Sequence, residues 1–283
     1  MASTAFMTKY REETIAAFEA GESLLRQACT NEAMVNGQIA TFLVAGSGGA
    51  TATTRGANGD IPAGENDLTQ VAVTMTEWHK LIRMNNFNIF ASQGNQRSIM
   101  QRNTVATINR KIDEQILTEL ATATVTAGAA TTASLAMVLK ASAVLQLAEV
   151  PWDNNIMAVI SPSFHAYLLA VAAYTSADYV DLKPMSGGVG GWTDRPRAKR
   201  WLDINWIIHP NVPGVGTSSE SCFLFHRSAI GHAMNTGGMD VKVGMDEEQD
   251  RSWARASGYM GTEILQNSGI VKMLHDGSAH VGS

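Results

Sequence analysis

The sequence is poor in cysteine and lacks long hydrophobic runs. Cys29 and Cys222 are the only cysteines in 283 residues, and they lie far apart with no CxxC pair. This spacing indicates neither a disulfide framework nor a thiolate metal site, and it fits a reducing cytoplasm. No run of about 18 apolar residues occurs, and residues 1–18 contain no apolar signal region, so the sequence predicts no membrane span and no secretion signal.

Charged residues are also scarce, at 17%, against roughly 25% in an average soluble domain. A weakly charged surface suits a protein whose surfaces are covered by neighbours, although exposed serine and threonine would solvate a monomer equally well. Lys and Arg number 21 and Asp and Glu number 26, for a net charge of -5. Proteins that bind the phosphate backbone usually carry an excess of basic residues, which this chain lacks, so direct nucleic-acid recognition is not expected. The apolar content of 45% predicts an ordered globular chain.

Motifs of the common enzyme classes are missing. The glycine-rich runs at 46–49 and 187–191 match neither GxxxxGK[ST] nor a strand, GxGxxG and helix, which favours flexible loops. The seven histidines show no metal-ligand spacing, although a cluster assembled from distant segments stays open. No GxSxG occurs, and Ser161 before Pro162 is better explained as a helix cap than as a nucleophile. The sequence therefore predicts no enzyme activity, no metal and no cofactor.

Two clusters of charge have simpler explanations than a binding site. The acidic group at 246–250 departs from the calcium-binding loop pattern and favours an exposed turn. The one basic cluster could touch nucleic acid or an acidic neighbour, but a solvated loop or a subunit contact is favoured in a net acidic chain. It consists of Arg195, Arg197, Lys199 and Arg200, with Trp192 and Trp201 nearby.

The first half of the chain predicts helix, hairpin, then a long helix. Residues 8–29 carry apolar residues at roughly helical spacing. Two apolar segments then flank residues 46–65, which are rich in Gly, Thr, Ala and Asn, and such a long insertion between strands predicts a hairpin that reaches out of the body. Apolar residues stepping by three and four predict a helix over 95–122, roughly 40 Å long.

The second half predicts an α/β unit followed by strands. The small-residue run 123–133 is a plausible domain boundary, and Ser134 can cap the helix that follows. A buried strand ending at 160 leads into a helix capped by Ser161. Strands are expected at 202–208 and 222–225, a short helix at 227–234, and strands at 239–243, 253–260 and 270–274. The order predicts an α+β protein.

This succession resembles the major capsid proteins of tailed bacteriophages with the Hong Kong 97-type fold. The resemblance rests on the hairpin with its tip at 55–62, the helix at 95–122, and the closing segments at 252–261 and 270–274. It implies an N-arm over 1–33, an extended β-hairpin loop with flanking strands over 34–84, and a peripheral domain with its spine helix over 85–133. It also implies an α/β axial domain over 134–237 and C-terminal strands over 238–283 that return to the peripheral domain.

The resemblance implies a structural protein that self-assembles into pentamers and hexamers. These would form an icosahedral virion head around double-stranded DNA, without sequence-specific contacts, after assembly in the host cytoplasm. The arm begins close to Met1, so a separate scaffolding protein is expected, and portal and decoration proteins are further partners. A Lys–Asn crosslink is not carried over, because residues 46–65 contain no Lys. The expected inter-subunit contact residues are Arg55, Asn58, Asp60, Trp192, Arg195 and Arg197.

Three alternatives remain open at this point. An encapsulin-like bacterial compartment shares the fold, and only its cargo would distinguish it. A soluble α/β hydrolase or transferase would need a polar pocket with convergent titratable groups. A tail or fibre protein would have long repetitive strands, whereas helices dominate the predicted pattern.

Overall fold

The chain divides into two units, as seen in a computed structural model that describes residues 23–31, 33–46, 52–56, 58–61, 67–91, 96–171, 174, 198–235 and 239–279. One unit comprises residues 1–23, 76–113 and 234–260. The other comprises residues 24–75, 114–233 and 261–283. We call them the first and second units.

The predicted hairpin is confirmed. Strands β1 (Met34–Asn36), β2 (Ile39–Gly46) and β3 (Asp67–Thr74) form an antiparallel sheet in the order β1-β2-β3. The register between β2 and β3 runs from Ile39 opposite Thr74 to Gly46 opposite Asp67. Residues 47–66 therefore connect two paired strands, as their composition predicts.

The long helix is also confirmed. Strand β4 (Thr76–Asn85) leads through α1 (Asn86–Ala91) into α2 (Gln96–Leu120), whose 25 residues span about 37 Å. Its buried side chains recur at a spacing of four, at Ile108, Ile112, Ile116 and Leu120. In the first unit, β10 (Asp240–Asp246), β11 (Arg251–Ile264) and β4 form an antiparallel sheet in that order.

The second unit contains the predicted α/β arrangement. Helices α3 (Leu135–Leu147) and α4 (Pro162–Leu169) accompany a sheet in the order β12-β8-β5-β7-β6. Its strands are β5 (Ile156–Ile160), β6 (Ala198–Trp201), β7 (Ile204–Ile208), β8 (Glu220–His226) and β12 (Ile270–His275). Strands β5 and β7 are parallel, and the other pairs are antiparallel. The predicted caps are present, since Ser134 accepts from the Met137 amide and Ser161 from the Phe164 amide.

Two local predictions were wrong. The expected strand at 202–208 begins only at Ile204, because Leu202 and Asp203 have φ values of 54° and 58° and form the two-residue turn between β6 and β7. The expected helix at 227–234 is a single 3-10 turn (Arg227–Ala229) followed by β9 (Ile230–Met234), which pairs with β11. Strand pairing overrides the helix propensity of the alanine and methionine in this segment.

The closing strands go to two different sheets. Strand β11 pairs with β4, whereas β12 pairs with β8 beside the buried strand β5. The last strand was expected to return to the peripheral domain, and this pairing places it instead in the sheet of the predicted axial domain.

Two predicted segments lie outside the described residues. They are most of the N-terminal helix and the loop at 175–197. The described residue ranges contain no helix that is both long and apolar enough to span a bilayer.

Candidate subunit-contact surfaces

The base of the hairpin is anchored by a small apolar cluster. Phe42 on β2 is buried together with Ala40, Val73, Met75 and Ala233. The ring of Phe42 lies across Gly231 of β9, where an added Cβ would be 2.7 Å from Cζ. Glycine at this position therefore lets the hairpin base sit directly on the backbone of β9.

Beyond Phe42, the described residues of the hairpin include no fully buried side chain. Leu43 is 73% exposed and Leu68 is 62% exposed, whereas Val44 and Val71 are half-buried. An isolated two-stranded ribbon is at best marginally stable in water, and clustered exposed apolar side chains mark contact surfaces. The outer ribbon is therefore a candidate contact surface.

The hairpin tip is a closed turn with exposed polar side chains. The Gly56 amide donates to the Asp60 carbonyl at 3.0 Å, and the Gly59 amide donates to the Gly56 carbonyl at 2.9 Å. Gly59 has φ of +78°, a conformation that favours glycine. The structure thus brings three predicted contact residues together at this tip, all of them exposed: Arg55, Asn58 and Asp60. The other three, Trp192, Arg195 and Arg197, lie outside the described residues.

The sheet of the first unit has one covered face and one outward face. Cross-strand partners in an antiparallel sheet share a face. Gly258 lies on the face that packs against α2, since an added Cβ would be 3.7 Å from Ile108. On the same face, the Lys111 ammonium of α2 lies 4.3 Å from the ring centroid of Trp78. We call the opposite face the outer sheet face.

A concavity of about 480 Å³ lies at the end of this sheet nearest the β10–β11 turn. We call it the Arg–Trp concavity. Its floor is the indole of Trp253, which lies across Gly244 so closely that an added Cβ there would be 2.5 Å from the ring. Its remaining lining is mixed, with apolar, basic and acidic side chains: Leu81, Met245, Arg83, Arg255, Asp246 and Glu247.

Two charged side chains of the concavity already have ion-pair partners, since Asp246 pairs with Arg251, and Arg255 Nη2 lies 3.7 Å from Asp240 Oδ2. Asp246 already accepts two bonds at 3.0 Å from the Arg251 guanidinium, through Nε and Nη2. The Nε of Arg255 is buried without a hydrogen-bond acceptor among the described residues. The lining therefore presents charges of both signs, at Arg83 and Glu247, beside the indole of Trp253.

Serine and histidine side chains are hydrogen-bonded to each other at several places, and the first such pair, Ser163 and His275, is structural. The Ala133 amide donates to His275 Nδ1 at 3.1 Å, so the neutral ring carries its proton on Nε2. Nε2 then donates to Ser163 Oγ at 3.2 Å and has no lone pair to accept the serine proton. Nearby, burial raises the pKa of the Cys222 thiol to about 12, which removes the thiolate needed for nucleophilic attack.

The second pair lies on the outer sheet face. His79 contacts Glu77 Oε1 through Nε2 at 2.6 Å and Ser257 Oγ through Nδ1 at 2.8 Å. Ser257 is 4% exposed in the middle of β11, whose backbone groups are paired on both sides by β10 and β4. The paired backbone leaves no amides beside Ser257 to stabilise an oxyanion. This arrangement fixes a surface histidine and does not form a hydrolytic centre.

The described residue ranges also contain no group of three or more His, Cys, Asp or Glu side chains placed to hold a metal ion. The candidate functional features are therefore three surfaces: the hairpin, the outer sheet face and the concavity. A family model described as "Phage capsid protein" matches residues 2–276.

The chain belongs to the phage capsid protein family.

As a major capsid protein it is a structural component of the virion, and copies of it assemble into the phage head shell. The family assignment indicates a structural, non-enzymatic protein. A search of curated proteins found no significant match.

Solved structures establish the Hong Kong 97-type fold. The structure titled "Capsid of Ralstonia phage GP4" superposes with a TM-score of 0.71 at 10% identity, covering 98% of both chains. That titled "Mycobacterium phage Che8" gives 0.66 at 16% identity, covering 96% of this chain and 98% of that one. That titled "Capsid of native GTA particle computed with C5 symmetry" gives 0.64 at 14% identity, covering 95% and 94%.

Sequence reasoning missed the Arg–Trp concavity. Lining residues occupy every second position of two strands, at Leu81 and Arg83 on β4 and at Trp253 and Arg255 on β11. The residues between them, Ile82 and Ala254, are apolar. That alternation could have indicated one polar sheet face. The floor could not have been found in this way, because it depends on Gly244 being the cross-strand partner of Trp253.

Proposed function

We propose that this capsid protein assembles into pentamers and hexamers that tile an icosahedral head around double-stranded DNA. The observation that carries the proposal is the outer ribbon of the hairpin, whose large apolar side chains Leu43 and Leu68 are not covered by the described residues. Ordering such a ribbon costs conformational entropy, and the apolar area that would offset this cost is buried only when the ribbon lies on another subunit. A repeated modest contact of this kind gives a closed shell high stability through multivalency.

In this proposal each segment of the chain has a separate structural role in the shell. Residues 1–33 act as the N-arm, 34–84 as the extended loop, 85–133 as the peripheral domain, 134–237 as the axial domain, and 238–283 as the closing strands. Assembly takes place in the host cytoplasm with a separate scaffolding protein, and portal and decoration proteins complete the head. The packaged DNA is held without sequence-specific contacts, in keeping with the net charge of -5.

The hairpin tip has a matching surface on a second copy. Arg55 and Asp60 present opposite charges at the tip, and the neighbouring Ile61 is 71% exposed. The Arg–Trp concavity offers Arg83 for the carboxylate, Glu247 for the guanidinium and an indole floor for the apolar side chain. We infer that the tip of one subunit enters the concavity of its neighbour, where partial desolvation strengthens the charge pairs.

Negative-stain electron microscopy tests the assembly itself. The full chain is expressed alone and with candidate scaffolding proteins, and closed shells, tubes or capsomer rings are expected. A protein that stays monomeric under every assembly condition would contradict the proposal.

Charge reversal tests the tip contact. Asp60→Arg and Arg83→Asp should each reduce the yield of shells, since each places like charges together, and the double variant should recover part of the yield. Glu149→Arg is the matched control, because Glu149 is an exposed acid that belongs to neither surface. Wild-type yields from both single variants would refute the tip contact and leave self-assembly standing.

A further inference from the structure

The linker between α2 and α3 is bound along the edge of β12. Backbone bonds join the Ala127 amide to the Lys272 carbonyl at 2.8 Å and the Lys272 amide to the Val125 carbonyl at 2.9 Å. Two more bonds connect Thr131 to the end of the strand. The Thr131 amide donates to the Leu274 carbonyl, and the Asp276 amide donates to the Thr131 carbonyl. Residues 123–133, which we call the linker, thus run parallel to β12 as an added strand.

The last bond of this series is made by a side chain. The Ala133 amide, one residue before the cap of α3, donates to Nδ1 of His275. His275 is fully buried, with the rings of Phe164 and Tyr167 each 5.3 Å from its own in edge contact. Ser163 takes the Nε2 proton, so packing and hydrogen bonding both fix the ring in the orientation that accepts the Ala133 amide.

We propose that His275 is a pH-sensitive fastening of the linker to β12. Protonation places a hydrogen on Nδ1, which then faces the amide hydrogen of Ala133, and two donors cannot bond. The end of the linker just before α3 is then held only by the backbone bonds of Thr131. This inference does not depend on the proposed subunit contacts.

The charged surroundings of His275 set the direction of the switch. Burial lowers the pKa of His275 below its ordinary 6.5, and this effect is opposed first by the charge of Glu220, then by a backbone hydrogen bond with Thr131 and by the charge of Asp276. The linker is therefore fastened at neutral pH and released in acid. The titratable groups on the elements packed around this ring are Glu220 and Cys222 on β8, His165 and Tyr167 on α4, Lys140 on α3, and Lys272 and Asp276 on its own segment.

The sign of the linkage follows from the lowered pKa. The unfolded or released chain binds the proton first, so the stability of the fastened state is complete above the ordinary value of 6.5. It is lost as the pH falls below that value towards the folded-state pKa.

Hydrogen exchange of the full-length protein tests the proposal. Deuterium uptake is followed by mass spectrometry in peptides covering the linker, from about pH 7.5 to about pH 5, with rates corrected for the intrinsic pH dependence of exchange. The corrected protection at the Ala133 end should fall by about fivefold or more on acidification, the factor expected for one lost hydrogen bond. Particle size is measured at each pH, so that the comparison is made within one assembly state.

Variants separate His275 from other acid effects. His275→Asn places a non-titrating oxygen near the position of Nδ1, and its linker should keep constant corrected protection across the pH range. His226→Gln is the matched control, because His226 is a mostly buried histidine of the same sheet that bonds Asp153 instead of the linker. If His275→Asn does not fold, the wild-type titration decides alone. Unchanged wild-type protection, or an acid response that persists in His275→Asn, would overturn the proposal.

Discussion

Replacing Gly277 by alanine should destabilise the second unit of the capsid protein. Gly277 follows β12 and covers the carboxylate of Glu220, which is fully buried at the start of β8. A Cβ added at Gly277 would overlap Oε1 and Cδ of that carboxylate. Gly277 does not have a positive φ, so the cost comes from the overlap and not from backbone strain.

The carboxylate cannot move aside cheaply. It accepts a hydrogen bond from Ser161 Oγ and another from the Gly216 amide at 2.7 Å. Forcing a methyl group into a packed interior costs about 1–3 kcal/mol, and each hydrogen bond to a charged group contributes about 1.5–3 kcal/mol. If the clash breaks one of the two bonds, the expected loss is about 4 kcal/mol, within a range of about 2.5–6 kcal/mol.

Urea unfolding followed by tryptophan fluorescence measures this loss, because the buried Trp201 and Trp206 belong to the same unit. Glu220→Asp shortens the side chain and should recover part of the loss in the Gly277→Ala background, giving a coupling of about 1 kcal/mol or more in a double-mutant cycle. Gly56→Ala is the control, since an added Cβ there meets nothing closer than 3.7 Å. A Gly277→Ala protein within about 0.5 kcal/mol of wild type would refute the reasoning.

Three further predictions concern other parts of the chain. Phe42→Ala should cost about 3–5 kcal/mol and increase proteolysis at the hairpin base, because it empties the contact over Gly231; unchanged cleavage would contradict the anchoring role. Cys222, whose pKa burial raises to about 12, should resist maleimide at about pH 8 until urea unfolds the chain, as followed by mass spectrometry. Burial, followed by the charge of Glu263, raises the pKa of Glu119 above its ordinary 4.5, so Glu119→Gln should slightly raise the urea midpoint at neutral pH. That gain should vanish below the ordinary pKa, where the glutamate is neutral in both states, and a gain that persists in acid would rule out this cause.

Local patterns were enough to predict many elements of this protein. The four-residue spacing of Ile108, Ile112 and Ile116 defines α2, because an apolar stripe at helical period must be buried along one side. Ser134 and Ser161 mark helix starts, because their hydroxyls satisfy backbone amides that the helix itself leaves unbonded. The long polar insertion between two apolar strands predicts the hairpin, and the order of elements carries the resemblance to phage capsid proteins.

Other features depend on contacts between residues distant in sequence. The segment after Arg227 became a strand because β11 was available to pair with it, and its composition alone favoured a helix. Strand β12 joined β8, a choice that apolar alternation does not encode because either sheet could bury the same residues.

The sequence by itself determined the long helix α2, the starts of α3 and α4 at Ser134 and Ser161, and the hairpin, because these features arise from patterns among residues close together in the chain. The order of these elements also carried the resemblance to phage capsid proteins. Only the tertiary structure decided that Trp253 lies on Gly244, that Gly277 covers Glu220, and that His275 receives the Ala133 amide. Each of these contacts joins residues on different strands or segments, and their partners are set by sheet register and packing.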